Sequence, residues 1–386
     1  MTSPFLKELR IDSSDLKSLI DDYERFAVGL PDRLEEYVRD RYQIDLSSEY
    51  GALPIKNPFG KGSGQLSLNT SQVRKDAEEG LGFVVLKTII AEDENGAQSM
   101  SEWAIHETRM LAEKITGKNG TEGWTITWKG RGWYDTFEAY LTFFSQALEI
   151  GAELGMPVVP SCKYHLPRDS EAEWKLGEYS YTTRRLLEIW LKNGPRDRPM
   201  PIEKDFSPTL AGSDRAAETD IIIRWLTRVT HLIRQAADPT PITVGLKLFN
   251  AIFDDAFQLE MLRAINEGCE VADKPDFLIY GNRLFDPVRE FDGVTGVAYG
   301  GPDLSDRNLA VLGRMRVLEQ SGEIPFCRLP ISATGNIVTG KIAAEYLLCG
   351  ASSFQIHTFF QLPSSEYRMK VSGKTARALH VVQAER

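Results

Sequence analysis

Two lysines stand where short apolar runs end, and both could do chemistry. Lys87 follows the apolar residues 83–86, and Lys247 ends the run ITVGLK that begins at Ile242. A lysine at the end of a buried strand is costly to bury without a partner, so a ligand anion or an electron-rich ring is one candidate partner. The alternative is a lysine that buries its aliphatic stem and pairs its ammonium with a carboxylate at the rim.

A second candidate for chemistry is the pentapeptide SCKYH, residues 161–165, which follows an apolar run from Met156. Cys162, Tyr164 and His165 can each give or take a proton, so the segment could supply acid–base groups. The alternative for Cys162 is a small core residue, since cysteine is among the most buried residue types. The residues alone leave both interpretations open.

Glycine-rich turns at both ends of the chain could hold a ligand. The loop FGKGSG places Gly60, Gly62 and Gly64 after an apolar run, and such glycines let the backbone approach a ligand closely. Near the C-terminus, residues 331–361 predict a strand, a polar turn, a helix capped by Thr339 and a second strand.

The C-terminal unit predicts a phosphate site at two adjacent strand ends. Gly335 and Asn336 follow the first strand, and His357 and Thr358 follow the second. Free backbone N–H groups collect at such loops and at helix N-termini, where they bind anions.

The pattern of strands and helices predicts the element order that positions these residues. Strand-like runs begin near residues 55, 83, 125, 156, 242, 277, 326 and 352, and they alternate with helical patterns. Eight such repeats predict a (β/α)8 (TIM) barrel, in which the loops after the last two strands commonly bind phosphate. We expect an N-terminal helical extension over residues 1–50 and the barrel over residues 51–386.

The stretch 166–238 is too long for an ordinary barrel loop. It contains helical runs near residues 182–191 and 216–235, separated by a proline-rich piece. We therefore predict a long helical insertion after the fourth strand, serving either as a lid or as an oligomer contact.

Composition bounds the class of protein. The 386 residues carry 45 Lys and Arg against 55 Asp and Glu, a net charge of −10, which argues against nucleic-acid binding. No window approaches the roughly 18 apolar residues of a membrane span, and no secretory signal is visible, so we expect a cytoplasmic protein without membrane contact. The four cysteines lack metal-type spacing, so no metal site is expected.

Eight segments resemble, in order, the dihydroorotate dehydrogenase family of FMN-binding TIM barrels. They are NPFGKGSGQLSLN, VVLKTI, a strand ending in SC, GLKLFN, GNRLFDP, DGVTGVAYGGP, ATGNIVTG and LLCGASSFQIHT. The resemblance runs from about residue 53 to residue 361, apart from the stretch after His165. It implies an FMN cofactor, a small-molecule substrate, an electron acceptor and a homo-oligomer, specifically a dimer.

The resemblance also implies a role for each strand-end feature. Lys87 and Lys247 would contact the polar edge of the flavin, where a cation stabilises the charge that develops on reduction. Cys162 takes the place of the base of the soluble branch, whose thiolate removes a proton from carbon while hydride passes to flavin N5. The implied cofactor contacts are Gly62, Ser63 and Gly64 at the flavin, Gly296 along the cofactor path, and Gly335, Asn336, His357 and Thr358 at the phosphate.

Differences from the family lie at the substrate. Val159 and Tyr164 stand where the family has asparagines around the catalytic cysteine, and Leu278 stands at the asparagine of the sixth strand. The early lid motif is reduced to residues 98–100, QSM. Loss of buried amide contacts changes discrimination by large factors, which argues against dihydroorotate itself as the natural substrate.

Three functions therefore follow from the sequence. The first is an FMN-dependent oxidoreductase that moves hydride between flavin N5 and a small carbonyl-activated substrate, with Cys162 as the proton-transfer residue and His165 or Tyr164 as substitutes. The second is a phosphate-binding lyase or aldolase that forms an imine on Lys87 or Lys247. The third is a non-catalytic flavin-binding protein.

Overall fold

The structure is a computed structural model, and it describes residues 12–104, 110–128, 132–168, 172–206, 218–267, 273–291 and 293–384. The helices in chain order are α1 (Ser13–Phe26), α2 (Leu34–Tyr42), α3 (Thr70–Glu78), α4 (Phe137–Leu154), α5 (Leu176–Asn193), α6 (Thr219–Ala237), α7 (Asp255–Glu267), α8 (Pro302–Ser321), α9 (Gly340–Leu348) and α10 (Lys374–Ala384). The strands in chain order are β1 (Ser48–Tyr50), β2 (Leu53–Ile55), β3 (Phe59–Lys61), β4 (Phe83–Val85), β5 (Ile89–Ile90), β6 (Met110–Thr116), β7 (Glu122–Trp128), β8 (Val158–Val159), β9 (Ser161–Lys163), β10 (Met200–Asp205), β11 (Ile242–Phe249), β12 (Phe277–Asn282), β13 (Leu284–Phe291), β14 (Val294–Tyr299), β15 (Ile331–Thr334) and β16 (Ala351–Ile356).

The main sheet is a closed barrel of eight parallel strands. Its pairing order is β5-β9-β10-β11-β12-β15-β16-β3-β4-β8. The segments β4 and β5 are two parts of the second barrel strand, and β8 and β9 are two parts of the third, split at Pro160. Because β4 pairs with β8 and β5 pairs with β9, both ends of the order meet at one strand pair and the sheet closes.

One helix follows each barrel strand, from α3 after β3 to α10 after β16. Some of these helices begin at a capping side chain. Thr339 accepts a hydrogen bond from the Ile342 N–H at 3.2 Å, as its position in the sequence predicts, and Asn69 accepts one from the Gln72 N–H at 3.0 Å. Strands and helices enclose one large core of buried apolar side chains. The predicted (β/α)8 barrel is therefore confirmed.

The stretch 166–238, predicted as an insertion, is corrected because it supplies a regular part of the barrel. Within it β10 pairs in parallel with β9 and with β11, which makes it the fourth barrel strand, and α5 and α6 flank it. The apolar pattern missed this strand because three of its six residues are charged. Their charges are paired within the fold, as described below.

The predicted strand near residue 125 is also corrected. It is β7, which pairs antiparallel with β6 in a hairpin outside the barrel, so the strands near residues 156 and 200 are the third and fourth of the barrel. A second hairpin, β13 with β14, follows the sixth barrel strand. Both hairpins leave the barrel from the carboxyl ends of their preceding strands.

The segment before the barrel contains α1, α2 and a hairpin of β1 with β2. Helix α1 packs on α10, where the rings of Tyr23 and His380 stack at 4.5 Å. The predicted strand near residue 55 belongs to the β1–β2 hairpin, and the first barrel strand is β3. Among the described helices, none combines the length and apolar character that a membrane crossing needs.

Candidate active site

Five consecutive barrel strands contribute one polar side chain each to a closed ring of hydrogen bonds, which we call the polar ring. Its members are Ser63, just after β3, Thr88, Ser161, Glu203 and Lys247. The distances around the ring are 3.1 Å for Ser63–Thr88, 3.1 Å for Thr88–Ser161, 3.3 Å for Ser161–Glu203, 3.2 Å for Glu203–Lys247 and 3.2 Å for Lys247–Ser63. Since the donors and acceptors are mutually satisfied, the ring fixes the side chains of these strands relative to one another.

Glu203 is the counter-ion of Lys247 and is fully buried. Its Oε1 accepts from Ser161 and Lys247, and its Oε2 accepts from the hydroxyl of Tyr50 at 3.0 Å and from Gln355 Nε2. Tyr50 comes from the β1–β2 hairpin, so this segment outside the barrel also reaches the ring. With both oxygens occupied, Glu203 serves to place Lys247.

Lys87, Lys163 and Asp205 form a second charged group beside the polar ring. Lys163 Nζ pairs with Asp205 Oδ2 at 2.9 Å, and Thr88 Oγ1 lies 3.5 Å from the same oxygen. Burial, together with the charges of Lys163 and Lys247, lowers the pKa of Lys87 to about 7, while Asp205 acts in the opposite direction. An amine with this pKa both accepts and releases a proton near neutral pH.

Cys162 lies away from these groups. Side chains alternate along a strand, and because Ser161 and Lys163 face the barrel interior, Cys162 faces the surrounding helices. It is fully buried, and burial raises the pKa of its thiol far above its usual value. A thiol so placed does not suit proton transfer at the carboxyl ends of the strands.

Tyr164 and His165 are also absent from the polar ring. Tyr164 is buried, its ring stacks on Tyr179 at 4.6 Å, and its hydroxyl lies 2.7 Å from Thr183 Oγ1. His165 is half-buried, and its backbone oxygen accepts from the Tyr179 hydroxyl at 2.7 Å. Of the residues predicted to be catalytic, Lys87 alone reaches the interior cluster.

The predicted phosphate residues come together around a cavity of about 60 Å³ at the ends of the seventh and eighth barrel strands. Gly335, Asn336, His357 and Thr358 all line it. This volume exceeds the roughly 10–15 Å³ that a single water needs, which suits a compact anionic group. Gln355 lines the cavity as well, and its Oε1 accepts from Lys247 at 3.0 Å, so one side chain connects the cavity to the polar ring.

Left-handed backbone conformations concentrate at this cavity. Gly301 and Gly335 have φ values of 94° and 111°, and the non-glycine residues Arg283 and Asn336 have values of 56° and 53°. A left-handed conformation strains residues other than glycine and is found preferentially at functional sites. Gly301 also precedes α8, which directs the N-terminus of that helix at the cavity.

Gly296, expected on the cofactor path, lies instead within the β13–β14 hairpin, where the ring of Phe285 is its nearest neighbour. Gly300 and Gly301, a few residues later in the same glycine-rich segment, line the cavity. The cofactor role expected of Gly296 therefore fits these two residues better.

FMN fits the chain at both ends of the site. At the phosphate end, backbone groups and Arg283 surround a cavity of suitable size. At the ring end, a Cβ at Gly62 would stand 3.1 Å from Gln355 Oε1, a tight contact, so the glycine lets the loop lie close to the polar ring. Between the two ends the imidazole of His357 lies against Gly64, where a Cβ would stand 2.4 Å from Nε2. Burial and nearby cations lower the pKa of His357 to about 3, so it is neutral.

Sequence reasoning missed Glu203, Asp205, Lys163 and Arg283 as members of the site. Lys163 sits inside the SCKYH segment, and strand alternation from Ser161 would have assigned it to the interior. Glu203 and Asp205 share the same two-residue spacing on β10. Among the described residues, no group of three or more His, Cys, Asp and Glu side chains is arranged to hold a metal ion.

These features define a TIM barrel with a phosphate-sized cavity and a charged cluster at the carboxyl ends of its strands. Among solved structures, the chain is similar to a dihydroorotate dehydrogenase (DHODH) from Eimeria tenella in complex with ferulenol. The two share 12% identity with a TM-score of 0.51, covering 95% of this chain and 91% of that one. No family model and no curated protein matches the chain. The likeness shows the fold alone.

Proposed function

We propose that the chain is an FMN-dependent oxidoreductase that moves hydride between flavin N5 and a small carbonyl-activated substrate. The observation that carries the proposal is the joint placement of Lys87 and Lys247, on the second and fifth barrel strands, beside the loop of Gly62 and Gly64 and connected through Gln355 to the phosphate-sized cavity. The similarity of the fold to that of a DHODH supports the proposal.

FMN, when bound, supplies the hydride acceptor, and the chain supplies charge, orientation and a proton-transfer group. Lys247 donates to Glu203, Ser63 and Gln355, which fix its ammonium in place, so it acts on negative charge of a ligand through its own charge. Lys87 is the proton-transfer residue in this proposal, because it lies in the cluster and its pKa of about 7 suits the exchange. Cys162 is not carried forward in that role.

The test needs no substrate. The visible absorption spectrum of the purified chain is recorded, bound cofactor is released and identified, and the apoprotein is titrated with FMN. We expect flavin absorbance and weaker binding in Lys247→Met, which loses the charge but keeps the length of the side chain. An apoprotein that binds neither FMN nor riboflavin would refute the proposal. The proposal includes an electron acceptor for the reduced flavin and a homo-oligomeric protein. Sedimentation of the holoprotein tests the oligomer.

The placement and pKa of Lys87 also favour a second candidate function. A buried amine with a pKa of about 7, near two other lysines, is activated for imine formation with a carbonyl substrate. A phosphate cavity within the same barrel end suits a phosphorylated carbonyl compound. Borohydride trapping with a carbonyl panel, read as a mass increase on Lys87 and absent in Lys87→Met, would support this function. Tightly bound FMN in the purified chain would exclude it.

A further inference from the structure

Arg283 combines three features at the phosphate-sized cavity. It directly follows the sixth barrel strand, it lines the cavity, and its φ of 56° places it in the left-handed region. A non-glycine residue there is held against its own backbone preference, which requires the surrounding structure to determine the conformation. Glycine would adopt the same backbone conformation without strain, so the presence of an arginine at this position indicates a role for its side chain.

Two buried asparagines determine the backbone around Arg283. Asn250 Nδ2 donates to the Arg283 backbone oxygen at 3.1 Å. Asn308 Nδ2, from α8, donates to the backbone oxygens of Gly281 at 3.0 Å and Thr334 at 2.9 Å. Both asparagines are almost fully buried, with exposures of 1% and 0%. The turn after the sixth barrel strand is therefore fastened to its neighbours on both sides.

The guanidinium of Arg283 belongs to a residue that lines the cavity, and its contacts indicate where it lies. It donates to the backbone oxygen of Ile126 in β7, which anchors one edge of the group. Its charge also helps to lower the pKa of His357, another residue of the cavity wall, so the two groups are near one another. A guanidinium keeps its positive charge while it donates hydrogen bonds to the protein, so the charge of Arg283 can act on an anion in the cavity.

We propose that Arg283 is the charge partner of a phosphate monoester in this cavity, and that it makes the site select phosphorylated ligands over their dephosphorylated forms. Backbone N–H groups and the N-terminus of α8 supply partial charges, whereas Arg283 supplies a full one. For FMN as the ligand, this inference rests on the proposed function, and it names the residue that reads the phosphate.

The experiment compares FMN with riboflavin, which differs only by the phosphate. Arg283→Asn removes the charge with a residue that tolerates the left-handed conformation, and Arg283→Lys restores the charge without the fork. We expect Arg283→Asn to weaken FMN binding by about 10-fold to 100-fold, as for loss of a charged hydrogen bond, and to leave riboflavin affinity unchanged. Arg283→Lys should recover part of the difference.

The matched control is Arg33→Asn, since Arg33 is an exposed arginine on the surface with a 3.0 Å contact to Glu36. It should leave both affinities unchanged, and the thermal midpoint of each apoprotein variant should stay close to that of the parent chain. Equal losses for FMN and riboflavin in Arg283→Asn, or a loss for neither, would overturn the inference while leaving the proposed function intact.

A second measurement separates the inference from the proposed function. If the parent chain binds neither flavin, the proposed function fails, and inorganic phosphate is then used as the probe. A phosphate-dependent rise of the thermal midpoint that disappears in Arg283→Asn and persists in Arg33→Asn supports the role of Arg283. A chain that binds neither flavin and shows no phosphate-dependent rise contradicts it.

Discussion

Lys87 should make the folded chain less stable than a neutral residue would, and Lys87→Met tests this. The side chain is only 3% exposed and lies near Lys163 and Lys247. Burial lowers its pKa from 10.5 to about 7, so the folded state binds the proton more weakly than the unfolded state does. Methionine has a similar length and no charge.

The size and sign of the effect follow from the two pKa values. Between pH 7 and pH 10.5 the unfolded chain holds the proton and the folded chain has largely released it, so the free energy of unfolding rises with pH in this window. Each pH unit contributes about 1.4 kcal/mol. Below pH 7 the buried ammonium therefore costs the fold as much as about 5 kcal/mol, and above pH 10.5 this cost vanishes.

The assay is denaturant unfolding of the parent chain and Lys87→Met at pH values from 6 to 10, under conditions where refolding restores the signal. We expect Lys87→Met to be more stable by about 2 to 5 kcal/mol at pH 6, with the advantage shrinking steadily toward pH 10. The control is Lys192→Met on α5, an exposed lysine, which should give a small difference without this pH dependence. A less stable Lys87→Met at pH 6, or a difference that is independent of pH, would refute the reasoning.

Two further predictions concern the rest of the site. Glu203→Gln removes the counter-ion of Lys247 within the buried polar ring and should lower the free energy of unfolding by about 3 to 5 kcal/mol. Adding Lys247→Met to this variant should restore much of the lost stability, because no unpaired charge then remains. Denaturant unfolding of the three chains checks both expectations, and a double variant less stable than Glu203→Gln would contradict them. Cys162 is fully buried, so a thiol reagent should leave it unmodified in the folded chain and modify it after denaturation, which peptide mass analysis can show. Cys162→Ala should leave FMN affinity unchanged. Labelling of Cys162 in the folded chain would contradict this prediction, because it would show that the thiol is accessible.

The barrel was predictable because most of its strands are apolar runs bounded by turns and followed by helical patterns. The strands that carry Lys87 and Lys247 were placed correctly on this basis, whereas the first strand of the C-terminal βαβ unit was predicted from residue 326 and begins at Ile331. The meeting of the residues predicted to bind phosphate around one cavity followed from the same pattern, since the ends of neighbouring parallel strands meet at one edge. Local pattern was sufficient wherever the barrel interior is apolar.

The fourth barrel strand was missed because its interior face is charged. Glu203 and Asp205 point inward and are stabilised by Lys247 and Lys163, which come from other strands. A carboxylate within a single segment of sequence predicts an exposed side chain, because its buried lysine partner lies on another strand and is not evident from that segment. The hairpin strand β7 gave the opposite error, because its pattern resembles a barrel strand and its antiparallel partner β6 is not evident from the sequence.

The role predicted for Cys162 is not supported by its burial, and the reason lies in the direction of its side chain. The segment SCKYH was correctly placed at the end of a barrel strand, but adjacent residues of a strand face opposite sides. Family resemblance matched the residue type without fixing which barrel strand carried it or which way it faced. Lys163, its neighbour, is the residue that reaches the interior through its pair with Asp205.

The charges of the interior explain why Lys87 connects both candidate functions. The lysines 87, 163 and 247 outnumber the carboxylates Glu203 and Asp205, and the two carboxylates already contact Lys247 and Lys163. An anionic ligand beside Lys87 favours its ammonium form and so raises the pKa of Lys87. Ligand binding near neutral pH should therefore take up a proton, which is available for the proton transfer that accompanies hydride transfer, whereas imine formation uses the unprotonated amine. The burial that makes Lys87 unfavourable for folding also brings its pKa close to neutral, so its protonation state responds to the ligand.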